Sequence, residues 1–304
     1  MRFPCSVRRE ASDSKPLLNS STPIDRALIP LSVHFLGTGG GRFTMITQRR
    51  RTAGIRLVHG GTDVHIDPGP GAVVFSNWAR LSPQGLDAVV VTHCHPDHYT
   101  DAEVLVEAMT HGTRSRRGVL AASRSVLYGN EDCDQSISTY HQGLVGAVET
   151  LVPGHRFAVD DLAFEAVAAR HSDPETVGIR AEVPGVGSLG YTSDTAYLPE
   201  LGGAYGGLRL LVLCTMWPRG NPLRFHLCTD DALKILEESR PGCAVLTHFG
   251  MKMLVADPEA EASYLEKETG VPTVAARDGL HVVLGEGIEF RGPRKKDEPR
   301  LIEA

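Results

Sequence analysis

The sequence has no long hydrophobic run: nothing in it approaches the roughly 18 consecutive apolar residues that a membrane-spanning helix needs. Residues 1–5 also lack the apolar core of a secretory signal peptide, so we expect a cytoplasmic protein without a membrane partner. The six cysteines form no C-x-x-C pair, which argues against a disulfide scaffold and favours free thiols in a reducing compartment.

Positive charge is not in excess, since 31 Lys and Arg residues against 37 Asp and Glu residues leave a formal charge of −6. The broad electropositive surface that long nucleic acid requires is therefore not expected. The chain has 304 residues, of which 41% are apolar, and this is enough for a core that folds without covalent cross-links.

Composition divides the chain into three parts. Residues 1–30 mix Ser, Pro and charge without periodicity and are predicted to be a poorly ordered leader. Residues 31–290 alternate β-rich runs with turn signals and are predicted to form a single domain. Residues 291–304 are predicted to be a charged, solvated tail. Because helical and strand patterns are mixed throughout, the class is α/β, or α+β by some schemes.

Strands are predicted where β-rich or apolar runs lie between turn signals. These runs are Leu31–Leu36, Gly54–Val58, Thr62–Ile66, Leu86–Val91, Gly118–Leu127, Arg156–Val159, Leu162–Ala169, Thr176–Val183, Ser188–Thr192, Leu208–Leu213, Cys243–Thr247 and Gly279–Leu284. Helices are predicted at about 100–110, where Thr100 and Glu103 have the spacing of a capping box, and in the segments 229–241 and 257–270.

Several of the thirteen histidines fall where predicted strands end. Directly after Leu86–Val91 comes an H-x-H-x-D-H motif, formed by His93, His95, Asp97 and His98. Imidazole nitrogens and carboxylate oxygens are ligands for Zn²⁺ and similar divalent ions. One such loop can contribute ligands to two metal sites, but its four ligands are too few for both sites. The remaining candidates, each just past a β-rich run, are His171, Asp194 and His248.

With these residues the sequence resembles the metallo-β-lactamase superfamily, over Leu31 to Leu284. The resemblance implies a four-layer αββα sandwich of two mixed β-sheets with helices on both outer faces, and two divalent ions at one sheet edge, zinc first, with manganese or iron as alternatives. It assigns one ion to His93, His95 and His171, and the other to Asp97, His98 and His248, with Asp194 bridging. It also implies that Asp67 supports the ligand loop. If His93 and His95 point towards the metals, Cys94 between them should point away, because side chains alternate along an extended segment.

Three short segments resemble the branch that contains tRNase Z and small phosphodiesterases: 35–39 (Phe-Leu-Gly-Thr-Gly), 190–195 (Gly-Tyr-Thr-Ser-Asp-Thr) and 276–279 (Ala-Arg-Asp-Gly). This resemblance implies that Asp97 and His226 are catalytic. His226 is the candidate proton donor to the leaving group, and Asp230 is the nearest residue that could orient it.

The sequence departs from the tRNA-processing enzymes in two ways. Segment 213–217 lacks the glutamate that follows the corresponding strand, and no insertion of the kind that clamps tRNA is visible. An anionic small-molecule substrate is therefore expected, bound by arginines in loops near strand ends: Arg42, Arg219 and Arg224, with Arg49–Arg51 as a weaker candidate.

The predicted function is hydrolysis of a small phosphodiester by a hydroxide that bridges two ions. An ester, thioester or lactone hydrolase on the same metals, and a tRNA 3′-end endoribonuclease, are the alternatives. A non-hydrolytic metal binder, such as a di-iron oxygen module or a sensor, is disfavoured because Pro96 stands where the redox relatives carry an extra acidic ligand. A homodimer is compatible with the resemblance, although no interface pattern is visible.

Overall fold

The computed structural model describes residues 29–292. The expected leader, residues 1–30, lies almost wholly outside the described residues, as does the expected tail from residue 291 onward. Among the described helices, none has the length and apolar character needed to cross a membrane.

The strands of the described part are numbered in chain order: β1 (Leu31–Phe35), β2 (Ile55–His59), β3 (Thr62–Ile66), β4 (Ala88–Val91), β5 (Val119–Ser123), β6 (Ala147–Leu151), β7 (Arg156–Val159), β8 (Leu162–Ala168), β9 (Val177–Val183), β10 (Gly187–Tyr191), β11 (Leu210–Trp217), β12 (Leu227–Cys228), β13 (Ala244–Thr247), β14 (Thr273–Ala275), β15 (Leu280–Leu284) and β16 (Ile288–Arg291). The helices are α1 (Arg42–Thr47), α2 (Ala72–Trp78), α3 (Pro96–Tyr99), α4 (Ala102–Met109), α5 (Arg124–Tyr128), α6 (Thr139–Gln142), α7 (Leu201–Ala204), α8 (Thr229–Ser239), α9 (Met251–Ala256) and α10 (Pro258–Thr269), with a 3-10 turn at Pro83–Gly85.

These strands form two sheets. The first has the order β16-β15-β1-β2-β3-β4-β5-β6, and the second has the order β14-β13-β11-β10-β9-β8-β7, with β12 paired to β11. Both sheets are mixed: β3 to β6 are parallel and β1 to β3 antiparallel, while β10, β11, β13 and β14 are parallel and β7 to β10 antiparallel.

Apolar side chains on one side of each sheet fill the space between the sheets. Leu31, Val33 and Phe35 of β1 and Ile179 of β9 are fully buried there, because alternation along a strand turns every second residue to the same side. On the outer faces, α4 packs on the first sheet, and α8 and α10 pack on the second. The predicted four-layer sandwich is therefore confirmed.

Sheet direction explains why the histidine-bearing segments converge. Strands β3 and β4 are parallel, so the residues that follow them lie at the same edge of the first sheet. In the second sheet β8 and β10 are both antiparallel to β9, and β10, β11 and β13 are parallel. The strands β8, β10, β11 and β13 therefore all end at the same edge of that sheet. That edge geometry is how α/β folds generally assemble a site.

Two local predictions were wrong. The run 118–127 is a strand only to Ser123, after which α5 begins, because an apolar run of this length is compatible with either state. Helix α4 begins at Ala102 without the expected capping box: the Thr100 hydroxyl donates to the Pro96 carbonyl (3.0 Å), and Glu103 accepts from the Ser138 amide (2.7 Å).

Candidate metal centre

Three histidines and one aspartate meet where β4, β8 and β10 end. His93 Nε2 lies 3.1 Å from His95 Nδ1, and His171 Nε2 lies 3.0 Å from the same atom. Asp194 Oδ2 is 3.8 Å from His93 Nε2 and 3.7 Å from His171 Nε2. One ligand atom from each residue lies within 4.8 Å of all the others, so the four side chains can hold a metal ion.

A second group, Asp97, His98 and His248, lies directly beside the first. The Nε2 atoms of His98 and His248 are 3.2 Å apart, and Asp97 Oδ2 is 3.5 Å from His248 Nε2. Asp194 faces this group too, with Oδ1 3.1 Å from His248 Nε2 and Oδ2 3.6 Å from His98 Nε2. The position between the two groups is the one that the sequence assigned to a bridging carboxylate.

In His171 and His98, the ring nitrogen that points away from the centre is hydrogen-bonded, which leaves the other nitrogen of each ring for a metal ion. His171 Nδ1 donates to the Phe225 carbonyl (2.8 Å), and His98 Nδ1 donates to Asp67 Oδ2 (2.8 Å). A neutral imidazole that donates from Nδ1 carries its lone pair on Nε2, so in their neutral form both rings can present a lone pair to an ion at the centre. Asp194 Oδ1 is buried there without a hydrogen-bond partner. Lone pairs and carboxylate oxygens that face one another are a donor set that fits a metal ion.

The electrostatics of the centre agree with this fit. Burial disfavours the charged form of Asp194, but the neighbouring His248 and His98 hold its pKa well below the usual value. Burial, aided by His98, holds the pKa of His93 well below the usual value. Burial works against charge on His98 too, yet Asp194 and Asp67 raise its pKa well above normal. Ionised carboxylates surround this point, and a cation is favoured there.

Asp67 supports the ligand loop through four hydrogen bonds, although it is not a ligand itself. Its Oδ1 accepts from the Thr92 amide, and its Oδ2 accepts from the hydroxyls of Thr92 and Tyr191 and from His98 Nδ1, all at 2.8 Å. The carboxylate fixes the ring of His98 and the backbone from which the H-x-H-x-D-H loop starts. This arrangement agrees with the supporting role that the sequence suggested.

Asp173 is a supporting residue that the sequence analysis missed. This buried carboxylate follows His171, and its Oδ2 accepts from the Cys94 amide (3.0 Å), midway between His93 and His95. The Ser125 hydroxyl donates to the same oxygen. Asp173 thereby ties the ligand loop of the first sheet to that of the second. No local pattern distinguishes it from an ordinary turn aspartate, so only the three-dimensional contact reveals its position.

The backbone around the centre is strained and tightly packed. Asp67, Ser193 and His248 all follow strands and have positive φ angles of 54°, 52° and 61°, which side chains other than glycine rarely adopt. At Gly40, a Cβ atom would lie 2.2 Å from His248 Nδ1. The glycine turn at 37–41 is therefore needed so that the chain can pass directly over this ligand.

His226 lies against both groups, whereas Asp230 does not orient it. His226 Nδ1 is 3.5 Å from Asp194 Oδ2, and its ring stacks at 5.8 Å on that of His248. Burial lowers the pKa of His226 to about 4, although Asp194 opposes the shift. Asp230 Oδ2 instead accepts from the Gly220 amide (2.6 Å), and His226 Nδ1 has no hydrogen-bond partner in the described part.

The three candidate substrate arginines have different surroundings. Arg219 is held by α10: its Nε lies 3.3 Å from Glu261 Oε1, and its guanidinium covers the Tyr264 ring at 4.4 Å. Glu261 thus pairs with Arg219, and substrate binding by Arg219 stays a prediction. Arg224 is exposed and covers the Phe225 ring at 4.7 Å, and Arg42 is exposed at the start of α1.

Cys94 points away from the ligands, as expected. It packs against the cluster beneath α4, and burial, reinforced by the Cys133 thiol, raises its pKa. Among the described residues, the groups that could hold an ion do not include Cys94. Cys94→Ala should therefore keep the metal content and most of the activity, with a loss of stability of about 1 kcal/mol. Metal analysis and an activity assay check this, and loss of an ion together with activity would contradict it.

The fold and the centre define a class. The model of the beta-lactamase superfamily domain matches residues 62–249, and the chain belongs to that superfamily. It is a metal-dependent hydrolase of the metallo-β-lactamase fold.

Two proteins are similar to this chain in sequence. The chain is 38% identical to the uncharacterized protein MJ1374 of Methanocaldococcus jannaschii over 259 residues, which cover 84% of this chain and 96% of that protein. Similarity to ribonuclease Z of Thermococcus kodakarensis, at 39% identity, is confined to 79 residues, 26% of this chain and 24% of the enzyme.

Two solved structures share the fold. The metallo-beta-lactamase fold protein YhfI of Bacillus subtilis has a TM-score of 0.69 at 17% identity, covering 84% of this chain and 99% of that one. A diphosphatase of the PhnP family has a TM-score of 0.63 at 19% identity, covering 84% and 98%. These structures confirm the predicted architecture.

Proposed function

We propose that the protein hydrolyses a small phosphodiester at a centre of two divalent ions, zinc in the first place. The observation that carries this proposal is the sharing of Asp194 by two adjacent ligand groups, with His226 against both. The donor set is imidazole nitrogen and carboxylate oxygen, which suits Zn²⁺ and leaves Mn²⁺ and Fe²⁺ as alternatives.

When bound, two such ions would lower the pKa of a water molecule and stabilise charge on the attacking and leaving oxygens. The chain's own residues supply the rest. Asp67 and the Phe225 carbonyl orient His98 and His171, and Asp194 and Asp97 balance the charge of the ions. His226 is positioned to give a proton to an alkoxide leaving group. Its pKa is low in the free protein, so an anionic substrate must raise it.

A small substrate is favoured over tRNA by the net charge of the chain. The formal charge of −6 is unfavourable for a folded polyanion. The ribonuclease Z relatives and the PhnP-family diphosphatase are named for phosphorus-ester or anhydride chemistry, which favours a phosphodiester over a lactone or thioester.

His226→Ala provides the test of the acid role. Zinc-loaded protein should hydrolyse bis(4-nitrophenyl) phosphate, whose nitrophenolate leaves without a proton. The variant should lose about 10²- to 10⁴-fold in kcat on a diester with an alkyl leaving group, which is the usual contribution of a general acid, and far less on the nitrophenyl diester. Steady-state kinetics on both substrates measure the difference.

Metal analysis of the same variant separates the acid role from a ligand role, because His226 also lies within ligand distance of Asp194 and His248. Two ions retained per chain would support the acid role, and loss of one ion would make His226 a ligand. Equal kinetic losses on both diesters would remove the acid role. Undetectable diesterase activity beside efficient lactone or thioester hydrolysis would replace the proposed substrate class.

A further inference from the structure

Asp173 is a buried carboxylate whose hydrogen-bond donors, within the described part of the chain, are all neutral groups. The residue is 2% exposed. Its Oδ2 accepts from the Cys94 amide (3.0 Å) and from the Ser125 hydroxyl. Its Oδ1 accepts from the Glu175 amide (3.0 Å) and from the side-chain amide of Asn130 (3.4 Å). Because a buried carboxylate is costly unless its oxygens are hydrogen-bonded, these four contacts fix its position.

The Cys94 amide is one of two backbone amides that flank His93, and each of them donates to a carboxylate. The Thr92 amide donates to Asp67 Oδ1 (2.8 Å), and the Cys94 amide donates to Asp173 Oδ2 (3.0 Å). The first of these carboxylates follows β3 of the first sheet, and the second lies between β8 and β9 of the second sheet. The backbone of His93 is therefore fixed from both sheets.

The segment that carries Asp173, residues 169–176 or the β8–β9 turn, is attached to the ligand loop at a second point. The Val177 amide donates to the Thr92 carbonyl (3.2 Å), directly after this turn. Within the turn, the Thr176 hydroxyl donates to the Asp173 carbonyl (2.8 Å). Since His171 belongs to the same turn, these contacts set the position of its backbone relative to the H-x-H-x-D-H loop.

The first ligand group contains three histidines, and each is within two residues of a contact made by Asp173. His93 and His95 lie on either side of Cys94, and His171 lies two residues before Asp173 itself. A displacement of Cys94 or of the β8–β9 turn would therefore move these three rings relative to one another.

The second ligand group has supports of its own. His98 Nδ1 donates to Asp67 Oδ2 (2.8 Å), and the Asp97 carboxylate accepts from an amide of the glycine turn at 37–41 (2.7 Å). The same glycine turn accepts a hydrogen bond from the amide that follows His248 (2.8 Å). These contacts do not involve the β8–β9 turn, so its displacement would leave them in place.

We infer that Asp173 is a positioning residue for the ion held by the three histidines of the first group, and that it has little influence on the other ion. This inference rests on the proposed two-ion centre. Without the carboxylate, the Cys94 amide and the β8–β9 turn would lose their common anchor. The three imidazoles would then no longer be held in one arrangement, and the ion would bind more weakly.

Zn²⁺ binding to the metal-free full chain, measured by competition with a chelator, tests this inference. Removing an outer partner of a metal ligand usually costs about 10- to 100-fold in affinity. We therefore expect Asp173→Ala to weaken one of the two sites about tenfold or more and to change the other less than about twofold. Asp173→Asn keeps one acceptor oxygen and should cause a smaller loss at the same site.

Two ligand variants identify which site is weakened. His171→Ala removes a ligand of the first group only, and His248→Ala removes a ligand that faces the second group. The site that is lost in His171→Ala should be the one that is weakened in Asp173→Ala. Weakening of the site that is lost in His248→Ala instead would overturn the inference.

Asp87→Ala is the matched control. Asp87 also accepts a backbone amide of another segment, that of Asp63 (3.0 Å), and it pairs with Arg117 (2.6 Å), but it precedes β4 and so lies at the opposite end of that strand from the ligand loop. Its replacement should lower the free energy of unfolding and leave both Zn²⁺ affinities unchanged. Urea unfolding and circular dichroism of the metal-free variants measure stability separately from metal affinity.

The outcomes separate this inference from the proposed function. If the parent protein binds two ions, unchanged affinities in the Asp173 variants, or equal losses at both sites, overturn the inference while the two-ion centre stands. A parent protein that binds fewer than two ions overturns the centre itself. If Asp173→Ala does not fold, Asp173→Asn decides, and a loss of stability without a selective loss of one affinity would show a merely structural role.

Discussion

Asp194→Ala is expected to lower kcat/KM for bis(4-nitrophenyl) phosphate by about 10³-fold or more and to reduce the metal content below two ions per chain. The reason is that Asp194 faces both ligand groups, so its removal weakens both at once. Metal ions contribute several kcal/mol to the stabilisation of such transition states, and each 1.36 kcal/mol is a factor of ten. Kinetics and elemental analysis of carefully loaded protein measure the two effects.

Asp134→Ala is the control for this experiment, because Asp134 is exposed and lies outside the centre. It should retain both ions and full activity. Circular dichroism of the Asp194 variant should match the parent protein, since the sandwich core lies between the sheets and not at their edge. A variant that keeps two ions and its activity would show that Asp194 is not a shared ligand.

Asp67→Ala should produce the largest loss of stability. Four buried donor groups would lose their acceptor, and each orphaned buried donor costs about 1–3 kcal/mol before relaxation. We expect the free energy of unfolding to fall by about 3–5 kcal/mol. Urea unfolding of metal-free protein measures this, because loss of ion binding then makes no contribution.

A milder substitution and the metal affinity test the same role of Asp67. Asp67→Asn keeps one acceptor oxygen but turns an amide donor toward other donors, so an intermediate loss is expected. Metal affinity should also fall by about 10–100-fold in both variants, the usual effect of releasing a ligand histidine from its carboxylate. A loss of less than 1 kcal/mol for Asp67→Ala would contradict the supporting role, and Asp134→Asn should change neither quantity.

The contiguous part of the site was the most predictable from sequence. His93, His95, Asp97 and His98 stand within six residues after a buried strand, so local pattern and chemistry agree. His171, Asp194 and His248 could be proposed from their positions after β-rich runs, but only the family resemblance divided them between two ions, because each alone looks like a loop residue. The two sheets that bring them together depend on strand pairing over more than a hundred residues, which no local signal encodes.

The errors have a common physical cause. Asp230 is near His226 in sequence, but its carboxylate turns to Gly220. Asp173 was missed for the opposite reason, since its partner Cys94 lies 79 residues earlier. Side-chain direction in loops is decided by such distant contacts, and sequence spacing does not report them.

The two ligand groups draw on both sheets, since the H-x-H-x-D-H loop follows β4 of the first sheet, while His171, Asp194 and His248 follow strands of the second. Ions bound by these groups would link the two sheets in the folded chain. The unfolded chain has no comparable site. By mass action, free metal at a hundred times its dissociation constant adds about 2.7 kcal/mol to stability for each independent site. With the proposed ions bound, we therefore expect the melting temperature to rise with the free metal concentration.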